Sequence, residues 1–302
     1  MLTQHGFSRA AVVGAGLMGR RIAGVLASAG VDVVITDTNA QILDAAAAEA
    51  SQVTGAERGS VSAAADMAAV RDADLIVEAI IEDLAIKQQL FERLSGIAPR
   101  AVLATNTSVL PVGAVTERVD DGARVIGTHW WNPPDLIPIV EVVPCARTAP
   151  ETTDRVVALL TDAGKLPVRV GRDVPGFIGN RLQHALWREA IALIAEGVCD
   201  AATVDLVVRN TIGLRLATLG PLENADYVGL DLTLAIHEAV LPGLNRDPHP
   251  SPLLRQLVGD GQLGARSGHG FLDWPPGARE RTASRLAQHI SRQLETQRKE
   301  TS

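Results

Sequence analysis

Cysteine is scarce. Only Cys145 and Cys199 occur in 302 residues. Two are too few for a disulfide framework or a structural zinc site, so nothing covalent staples this fold. Lysine is nearly as scarce, with Lys87, Lys165 and Lys299 the whole complement. Basic charge falls short of acidic, 28 Lys and Arg against 35 Asp and Glu, for a formal net charge of −7. Nucleic-acid binders ordinarily carry a basic excess, so no nucleic-acid partner is expected. No run of about 18 uncharged apolar residues occurs, so no membrane span is expected. Residues Met1 to Arg9 lack a basic stretch followed by an apolar one, as a secretory leader would have. The expectation is a soluble protein of a reducing compartment, the cytoplasm.

Apolar residues make up 46% and charged residues 21%. That composition supports a sizeable core and excludes a disordered chain. At roughly 150 residues per domain the length suggests two domains. The first half alternates short β-branched runs with helical patterns. Strands are expected at Ala10–Val13, Val31–Thr36, Asp74–Ile81, Ala101–Ala104, Arg124–Gly127 and Ile137–Val143. A helix is expected at Leu17–Ala29, where apolar residues recur at 18, 22, 25, 26 and 29. Such alternation builds a mostly parallel sheet with helices on both faces. Near VGRDVPG (170–176) the character changes. Beyond it come helical patterns at Phe177–Gly197, Ala201–Asn210, Ala225–Ala239 and Pro252–Val258, separated by Pro/Gly breaks. The last stretch, Ala278–Ser302, reads as polar and weakly helical, with a frayed tail.

Gly14-Ala15-Gly16-Leu17-Met18-Gly19 fits G-x-G-x-x-G, with a strand before it and a helix starting inside it. Those glycines allow a tight turn and close approach of a pyrophosphate to the helix N-terminus. Asp37 follows at the end of the second strand, where a carboxylate accepts from ribose hydroxyls and repels a 2′-phosphate. No Arg or Lys lies between Asp37 and Glu49, so NAD is favoured over NADP. The plainer alternative is a glycine-rich turn beside an unrelated acid. The expectation is an NAD-binding α/β Rossmann domain over residues 1–172, followed by an all-α C-terminal domain over 173–302.

Gly127-Thr128-His129 lies just past a strand, at the edge where open α/β sheets bind ligands. Glu141 stands on the next expected strand. An acid so placed would fix the imidazole tautomer and stabilise its charged form. A partly buried, merely satisfied histidine is the alternative, and spacing alone leaves both open.

Six segments resemble the 3-hydroxyacyl-CoA dehydrogenase family: VVGAGLMGRRIA (12–23), IVEAIIEDLAIKQQLFERL (76–94), ATNTSVLPV (104–112), GTHWWNPPDLIPIVEVV (127–143), DVPGFIGNRL (173–182) and LGARSGHGFLDW (263–274). They follow the family's order over nearly the whole chain. The resemblance implies an NAD-dependent oxidoreductase of fatty acid metabolism, moving hydride between a 3-hydroxyl carbon and nicotinamide C4. It implies His129 as general base with Glu141 as its partner, Ser108 on the reacting oxygen, and Asn180 polarising the carbonyl. Cofactor contacts are implied from Gly14 to Gly19, including Ala15, Leu17 and Met18, and from Asp37, Glu82, Lys87, Ser108, Asn132 and Arg266, the last in place of a usual lysine. A homodimer through the helical domain is also implied. Otherwise Ser108 and Asn180 would be helix caps, and Glu82 and Lys87 a solvated helix face.

One segment departs from the acyl-CoA pattern. Acyl-CoA members carry a lysine-rich helical excursion after the second strand. Here residues 38–70 hold only Asp44, Glu49, Glu57, Arg58 and Asp66 as charges, a segment that should repel CoA phosphates. HWWNPP and GLRLATLGPLEN look more like relatives acting on small free 3-hydroxy acids, such as gulonate (the lambda-crystallin group), carnitine and a pyridine carboxylate. In GLRL, Arg215 is the candidate to fork onto a substrate carboxylate, or else an interface arginine. Trp130 and Trp131 would wall the pocket or pack in the core, with the core favoured for one of them. A non-catalytic NAD-binding structural protein is the alternative of another class. A dehydrogenase with a catalytic lysine is remote, because no lysine sits on the second-domain helix it would need. No metal site is expected.

Overall fold

The structure is a computed structural model, and it describes residues 5–54 and 59–300. Contacts divide it into two compact units, one ending at Arg181 and one beginning at Leu182.

The first unit holds an eight-stranded sheet. Its strands are β1 (Arg9–Val13), β2 (Asp32–Thr36), β3 (Val61–Ala63), β4 (Leu75–Glu78), β5 (Val102–Thr105), β6 (Val125–Trp130), β7 (Ile139–Val143) and β8 (Leu166–Arg169), in the order β3-β2-β1-β4-β5-β6-β7-β8. All neighbours run parallel except β6 and β7, which are antiparallel. The central strands are buried on both faces, as parallel strands covered by helices must be, and so read as continuous apolar runs. Helices α1 (Leu17–Ser28), α2 (Leu43–Thr54), α3 (Leu84–Ile97), α4 (Val112–Val115) and α5 (Pro150–Asp162) connect them. One core gathers Ile22 and Leu26 of α1, Ala46 of α2 and Leu159 of α5 on one face. The other gathers Phe91 and Leu94 of α3 and Val112 of α4 on the opposite face. This is the expected doubly covered Rossmann sheet.

The helical series is α6 (Gly179–Ala195), α7 (Ala201–Asn210), α8 (Ile212–Leu216), α9 (Pro221–Val228), α10 (Leu230–Val240), α11 (Pro252–Gly259) and α12 (Ala278–Glu300). Among the described residues past 181, pairing is limited to isolated bridges at Gly264, His269 and Asp273. This is the all-α part that the sequence predicts. No helix among the described residues is long and apolar enough to cross a membrane.

Four local expectations need correction. β3 and β8 were not foreseen, because one is three residues long and the other, LPVR, carries a proline. The single helix expected over Ala225–Ala239 is two, split at Gly229 with φ +106°, a backbone setting that glycine adopts without Cβ strain. Ala278–Glu300, expected to be only weakly helical, is one continuous helix of 23 residues. Its apolar residues Leu286, Ile290 and Leu294 recur every four positions, enough for one stripe on a charged helix. Glu57 and Arg58 of the acidic segment, and the first four and last two residues, lie outside the described residues.

Candidate active site

The carboxyl ends of β1, β4, β5 and β6 converge at one edge of the sheet. The glycine loop follows β1. Gly14 has φ +109°, and a Cβ there would lie 2.5 Å from the Ala79 carbonyl oxygen. At Gly19 a Cβ would lie 1.8 Å from the carbonyl oxygen of Gly14, so the turn and the helix close on each other there. A Cβ on Gly16 would meet nothing within 4 Å. The middle glycine therefore faces open space at the start of α1, where the first amides have no helical partner and attract anions. The loop fits a dinucleotide pyrophosphate in shape and in charge. Ala15 is buried, Met18 half-buried and Leu17 exposed. Asp37 Oδ2 accepts from the Ala15 N–H at 2.7 Å and Oδ1 from Asn39 N–H at 2.8 Å. Asp37 thus braces the glycine loop.

After β4, Lys87 on α3 is 1% exposed. Its ammonium lies 2.5 Å from Glu78 Oε1 and 3.2 Å from Glu82 Oε2. Glu78 is fully buried, accepts from Thr105 Oγ1 at 2.7 Å and from the Ile80 N–H at 2.8 Å, and was missed in the sequence. An acid inside the apolar strand LIVE was the available signal. Glu82 is partly exposed and accepts from the Thr107 hydroxyl and from the N–H groups of Ser108 (3.0 Å) and Val109 (3.3 Å). Burial works against its charge, but Thr107, the Lys87 charge and the Ser108 N–H prevail and hold it below its ordinary value. Lys87 thus anchors Glu82, and Glu82 anchors the turn that carries Ser108.

His129 and Glu141 are cross-strand partners in the β6–β7 register. Both are 3% exposed, and His129 Nδ1 lies 2.6 Å from Glu141 Oε2. Glu141 Oε1 accepts from the N–H groups of Ile178 (2.9 Å) and Gly179 (3.1 Å). Those amides converge because Gly176 (φ +74°) and Phe177 (φ +48°) are both left-handed. A left-handed phenylalanine is uncommon and carries strain. Burial raises the pKa of Glu141, but the His129 hydrogen bond and both amides outweigh it and hold the carboxylate below its ordinary value. Among the described residues, His129 Nε2 has no hydrogen-bond partner. Its ring lies between Trp131 (5.0 Å) and Phe177 (5.7 Å). Trp130 packs in the core, the role favoured for one of the two tryptophans, while Trp131 is half-exposed beside His129.

Asn180, at the start of α6, donates through Nδ2 to the Ser108 carbonyl at 2.8 Å. Ser108, Asn180, His129 and Glu141 are therefore linked by short contacts and shared neighbours. Asn132 is exposed in the loop between β6 and β7. Arg215 is exposed on α8, and Arg266 is exposed in the turn before α12.

A family model described as 3-hydroxyacyl-CoA dehydrogenase, NAD binding domain, matches residues 9–174, and one described as 3-hydroxyacyl-CoA dehydrogenase, C-terminal domain, matches 176–274. A probable 3-hydroxybutyryl-CoA dehydrogenase of Deinococcus radiodurans is 38% identical over 86% of this chain and 98% of its own. A 5-formyl-3-hydroxy-2-methylpyridine 4-carboxylate 5-dehydrogenase of Mesorhizobium japonicum is 32% identical over 88% of this chain and 90% of its own. A crystal structure of a 5-formyl-3-hydroxy-2-methylpyridine 4-carboxylic acid 5-dehydrogenase, called an NAD+ dependent dismutase, superimposes with TM-score 0.87 at 29% identity, covering 93% of this chain and 96% of that one. With its glycine loop, its sheet and both matched domains, the chain belongs to the 3-hydroxyacyl-CoA dehydrogenase family of NAD-dependent oxidoreductases.

Proposed function

We propose that the chain interconverts a 3-hydroxyl and a 3-keto group, with His129 as the general base and a small free 3-hydroxy acid used at least as well as a CoA thioester. The observation that carries the chemistry is the buried 2.6 Å contact between His129 and Glu141. With Nδ1 held by the carboxylate, Nε2 is the nitrogen left to take the hydroxyl proton. Glu141, kept ionised, stabilises the imidazolium that results. Ser108 hydrogen-bonds the reacting oxygen, and the second amide hydrogen of Asn180 polarises the forming carbonyl. Bound NAD supplies a two-electron hydride acceptor. Gly14 to Gly19 and Asp37 hold its phosphates and ribose, while Glu82, Ser108, Asn132 and Arg266 make further contacts. Lys87 serves the cofactor through Glu82.

The substrate reading rests on residues 38–70, which hold no lysine and are net acidic. A relative that acts on a pyridine carboxylate supports it, and one named for a hydroxybutyryl-CoA supports the thioester. Arg215 is the residue that would pair with a substrate carboxylate. Arg215→Met should raise KM for the free acid by roughly ten-fold or more, the loss of a charge-assisted hydrogen bond, and leave a CoA thioester nearly unaffected. An equal effect on both substrates, or none on either, contradicts this assignment.

A homodimer in the cytoplasm, acting in fatty-acid or related acid metabolism, completes the reading. The dimer is supported by the apolar residues that α8 to α10 leave in water, among them Leu214 (68% exposed), Leu222 (81%) and Leu234 (61%). Faces of this kind mark an interface.

A further inference from the structure

Lys165 stands where α5 turns into β8, and it is 7% exposed. Its ammonium donates to the carbonyl oxygens of Pro134 (2.5 Å) and Ile137 (3.0 Å), with Asp135 O at 3.4 Å. An ammonium has three donors, and all three are directed at one loop. That loop, residues 131–138, joins the strand of His129 to the strand of Glu141 and carries Asn132 near its start. The same loop is tied at Asp135, whose carboxylate meets Arg21 of α1 at 2.9 Å. The Trp130 ring centroid lies 6.0 Å from the ammonium, at the outer limit of a cation–π contact.

We propose that Lys165 is a positioning residue for NAD: its charged ammonium gathers the 134–137 carbonyls and so fixes the loop that presents Asn132 to the cofactor. The proposal rests on the reading of Asn132 as a cofactor contact.

Carbonyl gathering alone would be a structural duty that any well-placed donor could fill. What distinguishes Lys165 is that its charge is conditional. Burial brings its pKa down to about 8, with the Asp135 carboxylate opposing the shift. Among the described groups, Asp135 is the one whose charge acts on it, and Arg21, itself near Glu49, shares that carboxylate. From α5 it meets the Leu160 carbonyl through its own N–H, and from β6 the Trp130 ring. As pH rises through about 8, the ammonium becomes an amine, which loses one donor and the charge that strengthens the others. The hold of Lys165 on the loop then weakens, while the Arg21 contact and the strand ends are unchanged.

The test is NADH affinity, read by fluorescence at constant ionic strength from neutral pH to well above 8, for wild type, Lys165→Met, Lys165→Arg and Asn132→Ala. The wild-type Kd should rise roughly three- to ten-fold across the step, the scale of one weakened hydrogen-bond cluster. Lys165→Met should bind weakly at every pH with no step, and Lys165→Arg should lose the step while binding more tightly than Lys165→Met. Because the chain has only three lysines, the ε-carbon NMR signal of Lys165 can be followed in the wild type without any substitution, and its midpoint should match that of the Kd. A step of equal size in Lys165→Met, no step in wild type, or a Lys165 signal that titrates in the ordinary lysine range overturns the proposal. An Asn132→Ala variant with unchanged Kd at neutral pH refutes the Asn132 reading instead, while the Lys165 step is still read from the other variants.

Discussion

The contact between His129 and Glu141 is inherited from strand pairing, since the two residues are opposite each other across β6 and β7. In the sequence the two residues stand on neighbouring expected strands, with a merely satisfied histidine as the alternative, and the family resemblance, not their spacing, implies the pair. His129→Gln should lower kcat by about 10²–10⁴, as loss of a positioned base does, with NAD affinity little changed. Steady-state kinetics and NADH titration check both halves, and near-normal turnover refutes the role. Asp37→Ala should narrow the preference for NAD over NADP by weakening NAD, and it should also loosen the glycine loop, whose Ala15 amide it binds. The ratio of kcat/KM for the two cofactors measures this. Lys87 was only half legible: its place in a matching motif suggested a cofactor contact, while the acid that ends the apolar strand LIVE, the one signal of the buried Glu78 that claims its charge, went unread. Lys87→Met should destabilise the protein by about 3–5 kcal/mol, because it leaves a buried carboxylate unpaired. Urea unfolding checks this, and a change below 1 kcal/mol, the scale of an exposed pair, contradicts it.

At the scale of elements, long runs with a clear period were readable and short edges were not. β1, α1, β2 and β6 follow from apolar runs, helical spacing and glycine placement. β3 and β8 sit at the two edges of the sheet, where few side chains are buried and a proline is tolerated, so they carry little pattern. The left-handed pair Gly176 and Phe177 was invisible, since nothing in DVPGF marks a phenylalanine for that conformation. That pair turns two amides onto Glu141, so this carboxylate, like Glu82, contributes to stability against acid. Glu141 has a depressed pKa in the fold, so it contributes stability above the ordinary glutamate value of about 4.3 and loses it as pH falls through the folded value. Glu141→Gln should therefore flatten the fall in Tm on acidification while lowering stability at neutral pH. An unchanged acid limb would mean that other carboxylates set it.

For the whole molecule, composition and motif order already imply the two-part architecture, because each part draws on a different hydrophobic period. Association state was less legible, since an apolar helix face reads alike whether it meets its own chain or a second copy. The exposed leucines of α8 to α10 favour the second copy, and light scattering at micromolar concentration should return a mass near twice that of the chain; a monomer would refute this. The most direct test of the central claim is NADH formation by the purified protein across a panel of small 3-hydroxy acids and 3-hydroxyacyl-CoA thioesters, with His129→Gln alongside. The account predicts NAD-dependent turnover of at least one free acid, with kcat/KM no lower than for the best thioester, and its near-complete loss in His129→Gln. Efficient turnover of thioesters alone, with every free acid inert, would contradict the substrate reading, and turnover that survives in His129→Gln would contradict the chemistry.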